Sequence, residues 1–321
     1  MKKIVITLIA FVCALPLLAQ QDYSSLVVNN FMSSSTKSKE IKIAYAGGKA
    51  TSKSEWQAQL NDYLGSKYSS PITTVDVSDL FLGSVGFAFT LGERLYSKMV
   101  PDVLLLETAA EDITNNCSVE HQRLAIEGVI RAALKQNSNM DIIMISSPSE
   151  KMIAQYKSGV TPKTIELQKE FASYYGVHYI DVSKEVFDAI EAGDIDSSDY
   201  FAAESQLATK FHYNALKNAF EEFFSADSKL SKRLSTPKAK NKRCFENGYL
   251  AEIKSADSGP LFGYKESYTP KDEAITYEGY TGVPMLVAEK YDCSLIRRIK
   301  GNAIGIIVIS GPDVGVVEYV V

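Results

Sequence analysis

The chain is 321 residues long, 45% hydrophobic, and carries 34 Lys and Arg against 39 Asp and Glu for a net charge of -5. A mildly acidic balance gives no electrostatic reason to expect nucleic acid or an anionic membrane as a partner. The three histidines, His121, His178 and His212, form no cluster with the cysteines, only His121 standing near one (Cys117), and no Cys-x-x-Cys spacing occurs, so neither a zinc site nor any other metal or cofactor is expected.

At the N-terminus Lys2 and Lys3 precede an apolar run from Ile4 to Leu18, then Ala19, Gln20 and Gln21. This is the pattern of a secretory signal peptide over residues 1–19. The run is shorter than the roughly 20 residues of a spanning helix, and Cys13 sits inside it rather than after a cleavage point. The expectation is a secreted or periplasmic protein with no membrane span after cleavage, beginning with an extension over residues 20–40. About 300 residues then remain, more than one ordinary domain, which predicts two.

The first element predicted is a strand over residues 41–46, ending in Gly47-Gly48 and followed by a helix over 54–64, with Trp56, Leu60 and Leu64 at helical spacing. A strand at 73–77, a helix at 89–99 and a buried strand at 103–107 come next. A helix over 121–136 precedes a strand at 141–145, and the alternation continues with a helix at 163–175, a strand at 178–182 and helices at 184–192 and 210–224. Strands alternating with helices imply an α/β domain over residues 41–226, a mostly parallel sheet flanked by helices in three layers. Residues 227–243 are basic and polar, the composition of a solvated linker. Residues 244–321 carry short β-favouring runs at 249–253, 274–280, 295–299, 304–309 and 314–321, which predicts a small all-β domain of sandwich type. Three cysteines survive signal cleavage, and Cys244 with Cys293 is the expected disulfide because both lie in this region.

In an open parallel sheet ligands gather at the carboxyl ends of the strands. The loop there, Gly47-Gly48-Lys49-Ala50-Thr51 followed by a helix bearing Trp56, resembles the opening block of the SGNH (GDSL-type) hydrolases. Pro101-Asp102-Val103-Leu104-Leu105-Leu106-Glu107 followed by Glu111-Asp112 resembles a later block, and the segment between Glu191 and Tyr213 stands where that family has its Asp-x-x-His. The resemblance covers about Ile41 to Phe224 and implies a flavodoxin-like fold and ester-hydrolase ancestry. It also locates what is missing. Lys49 stands at the serine position, Glu111 at the oxyanion asparagine, and Ala202 and Glu204 at the acid and histidine; Gly83 and Gly86 are both candidates for the oxyanion glycine.

Ester hydrolysis needs a hydroxyl nucleophile, an imidazole base and donors facing the oxyanion, and a carboxylate at position 111 opposes the last of these. Thr51, Ser52 and His212 are the fallback residues for a relocated pair, although Ser and Thr beside a helix start more often cap it. Lys49 between Glu111 and Glu204 would instead form an ion cluster filling the old pocket. The resemblance therefore implies a catalytically inactive protein that binds a glycan or a cell-envelope protein. The alternative is an active carbohydrate or lipid ester hydrolase, acetylesterase-like, using relocated residues. Tyr264, Tyr268, Tyr277 and Tyr280 are candidates for stacking on sugar rings.

Overall fold

The structure, a computed structural model, describes residues 40–51, 54–68, 70–223, 236–251, 254, 262–268, 283–288 and 300–308. The chain divides into two compact units at Gly248/Tyr249.

Five parallel strands form the sheet of the first unit: β1 (Ile41–Ala46), β2 (Ile72–Asp76), β3 (Val103–Glu107), β4 (Asp141–Ile145) and β5 (His178–Ile180). Their order is β2-β1-β3-β4-β5, so the direction of winding reverses beside β1, and the carboxyl ends of β1 and β3 flank the crevice that such a reversal opens. Every residue of β3 and β4 is buried, as expected of central strands covered on both faces. β2, at the edge, has no buried residue, and Thr73, Thr74 and Asp76 are exposed.

Between the strands run α1 (Glu55–Lys67), α2 (Ser84–Leu91), α3 (Ala109–Thr114), α4 (Val119–Gln136), α5 (Glu150–Lys157), α6 (Lys163–Tyr175), α7 (Val182–Ala192), α8 (Ser197–Tyr200) and α9 (Gln206–Phe223). Local chemistry sets their ends. The Ser118 hydroxyl accepts the His121 N–H at the start of α4, and Gly176 and Gly193 close α6 and α7 in the left-handed region. One face of the sheet packs Trp56, Leu60 and Leu64 of α1 and Leu216 and Phe220 of α9 against Ile43, Tyr45, Leu105 and Ile143. Each such large side chain contributes about 1.5–3 kcal/mol by leaving water.

The predicted architecture of the first unit is therefore the one observed, with local differences. The helix expected over 89–99 begins at Ser84 and turns into a π-helical segment at Gly92–Tyr96. The short helices α3, α5 and α8 carry too few turns to show a period.

The expected linker is a larger correction. Residues 236–248 are packed onto α4 as a strap. The Glu127 carboxylate, wholly buried, accepts the Tyr175 hydroxyl at 2.6 Å and the Asn241 N–H at 2.9 Å, together with the Lys240 N–H. Arg131 binds Glu246 and the Pro237 carbonyl. Phe245 lies against Gly128, where a Cβ would come within 2.6 Å of the Phe245 carbonyl carbon. The strap is held to α4 and α6 by its backbone N–H groups on Glu127 and by the Lys240–Glu170 ion pair, while the side chains of Lys238, Lys242 and Arg243 are exposed. Cys244 belongs to this strap as a buried free thiol, so it sits in the α/β unit and not in the β-rich one. Cys293 lies outside the described residues.

In the second unit β6 (Phe262–Tyr268) and β7 (Val283–Ala288) pair antiparallel, with a register shift between Lys265 and Tyr268. Residues 249–251 and 304–308 are not strands. The runs expected at 274–280, 295–299 and 314–321 lie outside the described residues.

Candidate active site

The turn after β1 is built by exclusion. A Cβ on Gly48 would fall well inside contact distance of the Glu111 carboxyl group, and one on Gly47 would strike Thr51. Neither glycine is in the left-handed region, so space and not backbone conformation requires them. The Asp79 N–H binds the Gly47 carbonyl at 2.8 Å, and the Trp56 indole N–H binds the Ala50 carbonyl at 2.9 Å, which fixes the turn from both sides.

Carboxyl groups fill the crevice it faces. Glu107, the last residue of β3, is fully buried and accepts the Gly48 N–H through Oε2 and the Ala110 N–H through Oε1, each at 3.3 Å. Glu111 Oε1 accepts the Lys49 N–H at 2.9 Å. Asp112 Oδ1 accepts the Ser84 N–H at 2.8 Å and the Ser84 hydroxyl at 3.0 Å. Glu111 Oε2 and Asp112 Oδ2 have no hydrogen-bond partner among the described residues.

Three acidic groups this close and this dry resist ionisation. Burial, reinforced by the Glu111 charge, raises Glu107 well above the ordinary carboxyl range. Burial raises Glu111 against the lowering pull of Lys49. Asp112 is pushed up to about 7, chiefly by burial and against its bonds to Ser84. The backbone N–H groups of Gly48 and Lys49, the donors that could face a developing oxyanion, are thus spent on side chains of the protein itself. Where one of these carboxyl groups is ionised, it also sets a negative charge where negative charge would have to develop.

The expected site residues divide accordingly. Lys49, Glu111 and the Gly47-Gly48 turn meet in the crevice. Gly83 is the glycine that joins them, since it caps α2 with a Cβ position against Asp112 Oδ1, whereas Gly86 lies within α2 against Leu82. Gly86 is to that extent a correction. Ala202 and Glu204 are exposed in the turn between α8 and α9, with Glu204 at a φ of 55°. The Lys49 side chain is exposed, and no ion pair joins it to Glu111 or Glu204 among the described residues. The ion cluster is replaced by a backbone contact: Glu111 meets the Lys49 N–H and not its ammonium.

Of the fallback residues, Thr51 is buried with its hydroxyl unpartnered among the described residues, and Ser52 lies outside them. His212 does have a hydroxyl partner, one the sequence reading missed. Ser147, two residues beyond β4, places its Oγ 2.8 Å from His212 Nε2, and His212 Nδ1 lies 2.8 Å from the Ala208 carbonyl. Since that carbonyl can only accept, Nδ1 carries the proton and Nε2 accepts the serine hydroxyl. Ser147 is wholly buried and His212 is 2% exposed. Burial lowers the imidazole to about 4, and Trp56 stacks on it at 5.7 Å between ring centroids. The pair is buried and hydrogen-bonded within the core. Two polar residues directly after the buried run at 141–145 were the signal for it.

Cys117 is half-buried, with its thiol raised to about 11 by burial and by the nearby Asp112 charge. No group of three His, Cys, Asp or Glu residues among those described could hold a metal ion. Tyr264 and Tyr268 are partly exposed on β6, while Tyr277 and Tyr280 lie outside the described residues.

No protein-family model matches the sequence, and no curated protein sequence matches it. Solved structures do resemble it. A two-domain esterase active on acetylated mannans, crystallised with mannopentaose, aligns with a TM-score of 0.54 at 13% identity, over 78% of this chain and 67% of that one. The lipase/acylhydrolase from Enterococcus faecalis aligns at 0.45 and 12% identity, over 56% and 95%. A GDSL-like lipase from Parabacteroides merdae aligns at 0.46 and 11%, over 58% and 96%. A 2-1-3-4-5 parallel sheet with a glycine turn after β1 and a Glu-Asp pair after β3 gives the chain the fold of the SGNH hydrolases.

Proposed function

We propose that this is a non-catalytic protein on an SGNH hydrolase fold, exported by the leader at residues 1–19, which binds a glycan at the cell envelope or outside it. The observation that carries the loss of catalysis is the occupation of the Gly48 and Lys49 N–H groups by Glu107 and Glu111. It comes on top of a lysine at the nucleophile position and the absence of histidine between His178 and His212. The glycan is suggested by the similar esterase, which acts on acetylated mannans.

The test is hydrolysis of short-chain p-nitrophenyl esters and an acetylated manno-oligosaccharide by the purified mature protein. The expected rate is that of the buffer blank. Turnover that disappears in His212→Ala would overturn the proposal.

An active ester hydrolase with relocated residues is the second reading, and the Ser147–His212 hydrogen bond is what favours it. That dyad has the tautomer of a nucleophile and base. Its burial weighs against it, because the nucleophile must reach a carbonyl carbon while donors hold the oxygen.

A further inference from the structure

With the catalytic edge filled, a ligand has to be held elsewhere. An open surface cavity of about 460 Å³ lies between the C-terminal half of α1 and the edge strand β2, away from the carboxyl ends of the strands, a shallow groove and not an enclosed pocket. Asn61, Asp62, Gly65, Tyr68 and Thr74 line it.

Gly65 is the informative residue. Glycine weakens the interior of a helix, and two reasons could justify it: a left-handed backbone or a close neighbour. Gly65 has neither, since its φ is not positive and no atom lies within 4 Å of where a Cβ would be. Its effect is to bare the helix backbone on the cavity wall.

Asn61 is oriented from behind. The hydroxyl of Tyr45, 1% exposed, donates to Asn61 Oδ1 at 2.6 Å. That bond occupies the carbonyl end of the amide and leaves its two N–H donors for the cavity side. Asp62 adds an exposed carboxylate acceptor, and Thr74 an exposed hydroxyl that can donate or accept. Tyr68, partly buried and packed against the core, supplies an aromatic surface. Among the described residues β2 pairs with β1 alone, so its outer edge also presents main-chain groups.

Among the described residues no basic side chain lines this cavity, which argues against a phosphate or carboxylate ligand. Fixed donors, mobile acceptors, an aromatic ring and bare backbone together suit a neutral polyhydroxylated molecule. We propose that the α1/β2 cavity is a saccharide subsite. The ligand class rests on the glycan reading above; the location rests on the cavity and on Gly65.

The test is affinity electrophoresis of the full mature chain through gels containing soluble glucomannan, xylan or mixed-linkage β-glucan. Two variants on different elements accompany it, Gly65→Glu to fill the cavity from the helix and Thr74→Arg to fill it from the strand. Both sites are exposed and Glu favours a helix over Gly, so folded protein is expected and is checked by thermal melting. The expected result is retardation of the unaltered protein by at least one neutral glycan, weakened at least tenfold in both variants. Retardation unchanged in both would overturn the location while leaving glycan binding in place. No retardation of the unaltered protein in any gel would overturn the location and the glycan reading together. Should either variant fail to fold, titration of the unaltered protein with manno-oligosaccharides decides by NMR: a shifted Asn61 side-chain amide supports the site, and an unmoved one refutes it.

Discussion

Substituting Gly48 by Ala tests whether the Glu111 carboxyl group truly fills the crevice over the turn. The added Cβ would overlap Glu111 Cδ and both its oxygens, so the carboxyl group at the end of that flexible side chain must swing away from the Lys49 N–H. Overpacking of a buried site costs about 1–3 kcal/mol, and displacing Glu111 from the Lys49 N–H adds the loss of a charge-assisted hydrogen bond, about 1.5–3 kcal/mol where the carboxyl is ionised. The two costs sum to about 2.5–6 kcal/mol, and because the flexible Glu111 side chain can give way a destabilisation at the lower end, about 2.5–4 kcal/mol, is expected for Gly48→Ala. In a Glu111→Ala background the obstructing group is gone and the same substitution should cost under about 1 kcal/mol, since the backbone does not need glycine's conformational freedom. The coupling between the two changes is then about 1.5–3 kcal/mol. Urea unfolding of the wild type, both single variants and the double variant measures it. Additivity within about 0.5 kcal/mol would refute the placement of Glu111 over Gly48.

Asp112 is held near 7 by burial against an ordinary value of 3.8, so its native state keeps a proton that the unfolded chain releases. The stability it contributes is full below about pH 4 and lost as pH rises through 7. Asp112→Asn, which keeps an acceptor for Ser84, should remove a fall of a few kcal/mol across that window in the difference between the two unfolding profiles. His212 has the opposite sign: lowered from 6.5 to about 4 by burial, it contributes stability above pH 6.5 that is lost as pH falls towards 4, and His212→Phe should flatten that limb. Ser147→Ala should leave Nε2 of His212 buried without its donor and cost about 1–3 kcal/mol, read as a lower melting temperature. Glu127→Ala should orphan the Lys240 and Asn241 N–H groups at about 1–3 kcal/mol each, measurable as faster hydrogen exchange or proteolysis within residues 236–248.

The architecture of the first unit was legible because its strands are continuous apolar runs and its longer helices repeat Leu, Ile and Phe at helical spacing. Helices α3, α5 and α8 were not, since 6, 8 and 4 residues are too short for a period to emerge. The strap at 236–248 misled for a physical reason. Its composition reads as solvated, whereas what holds it is the buried Glu127 carboxylate on two backbone N–H groups, 113 and 114 residues away in the chain, and Glu170 on the Lys240 ammonium, 70 residues away. In the crevice, Lys49 and Glu111 were recognisable from block order, but the contact between them runs through a backbone N–H, which side-chain charge does not reveal. Ser147 escaped notice because its partnership with His212 spans 65 residues and depends on where α9 crosses the sheet.

The central claim, that no hydroxyl in the crevice is competent for acyl transfer, is tested most directly with a fluorophosphonate, which labels a serine only where a base and oxyanion donors already activate it. Incubation of the mature protein with the probe, followed by intact-mass and peptide analysis, should give no adduct, with Ser147 unmodified in its buried position. A stoichiometric adduct on any serine, lost in His212→Ala, would contradict the account.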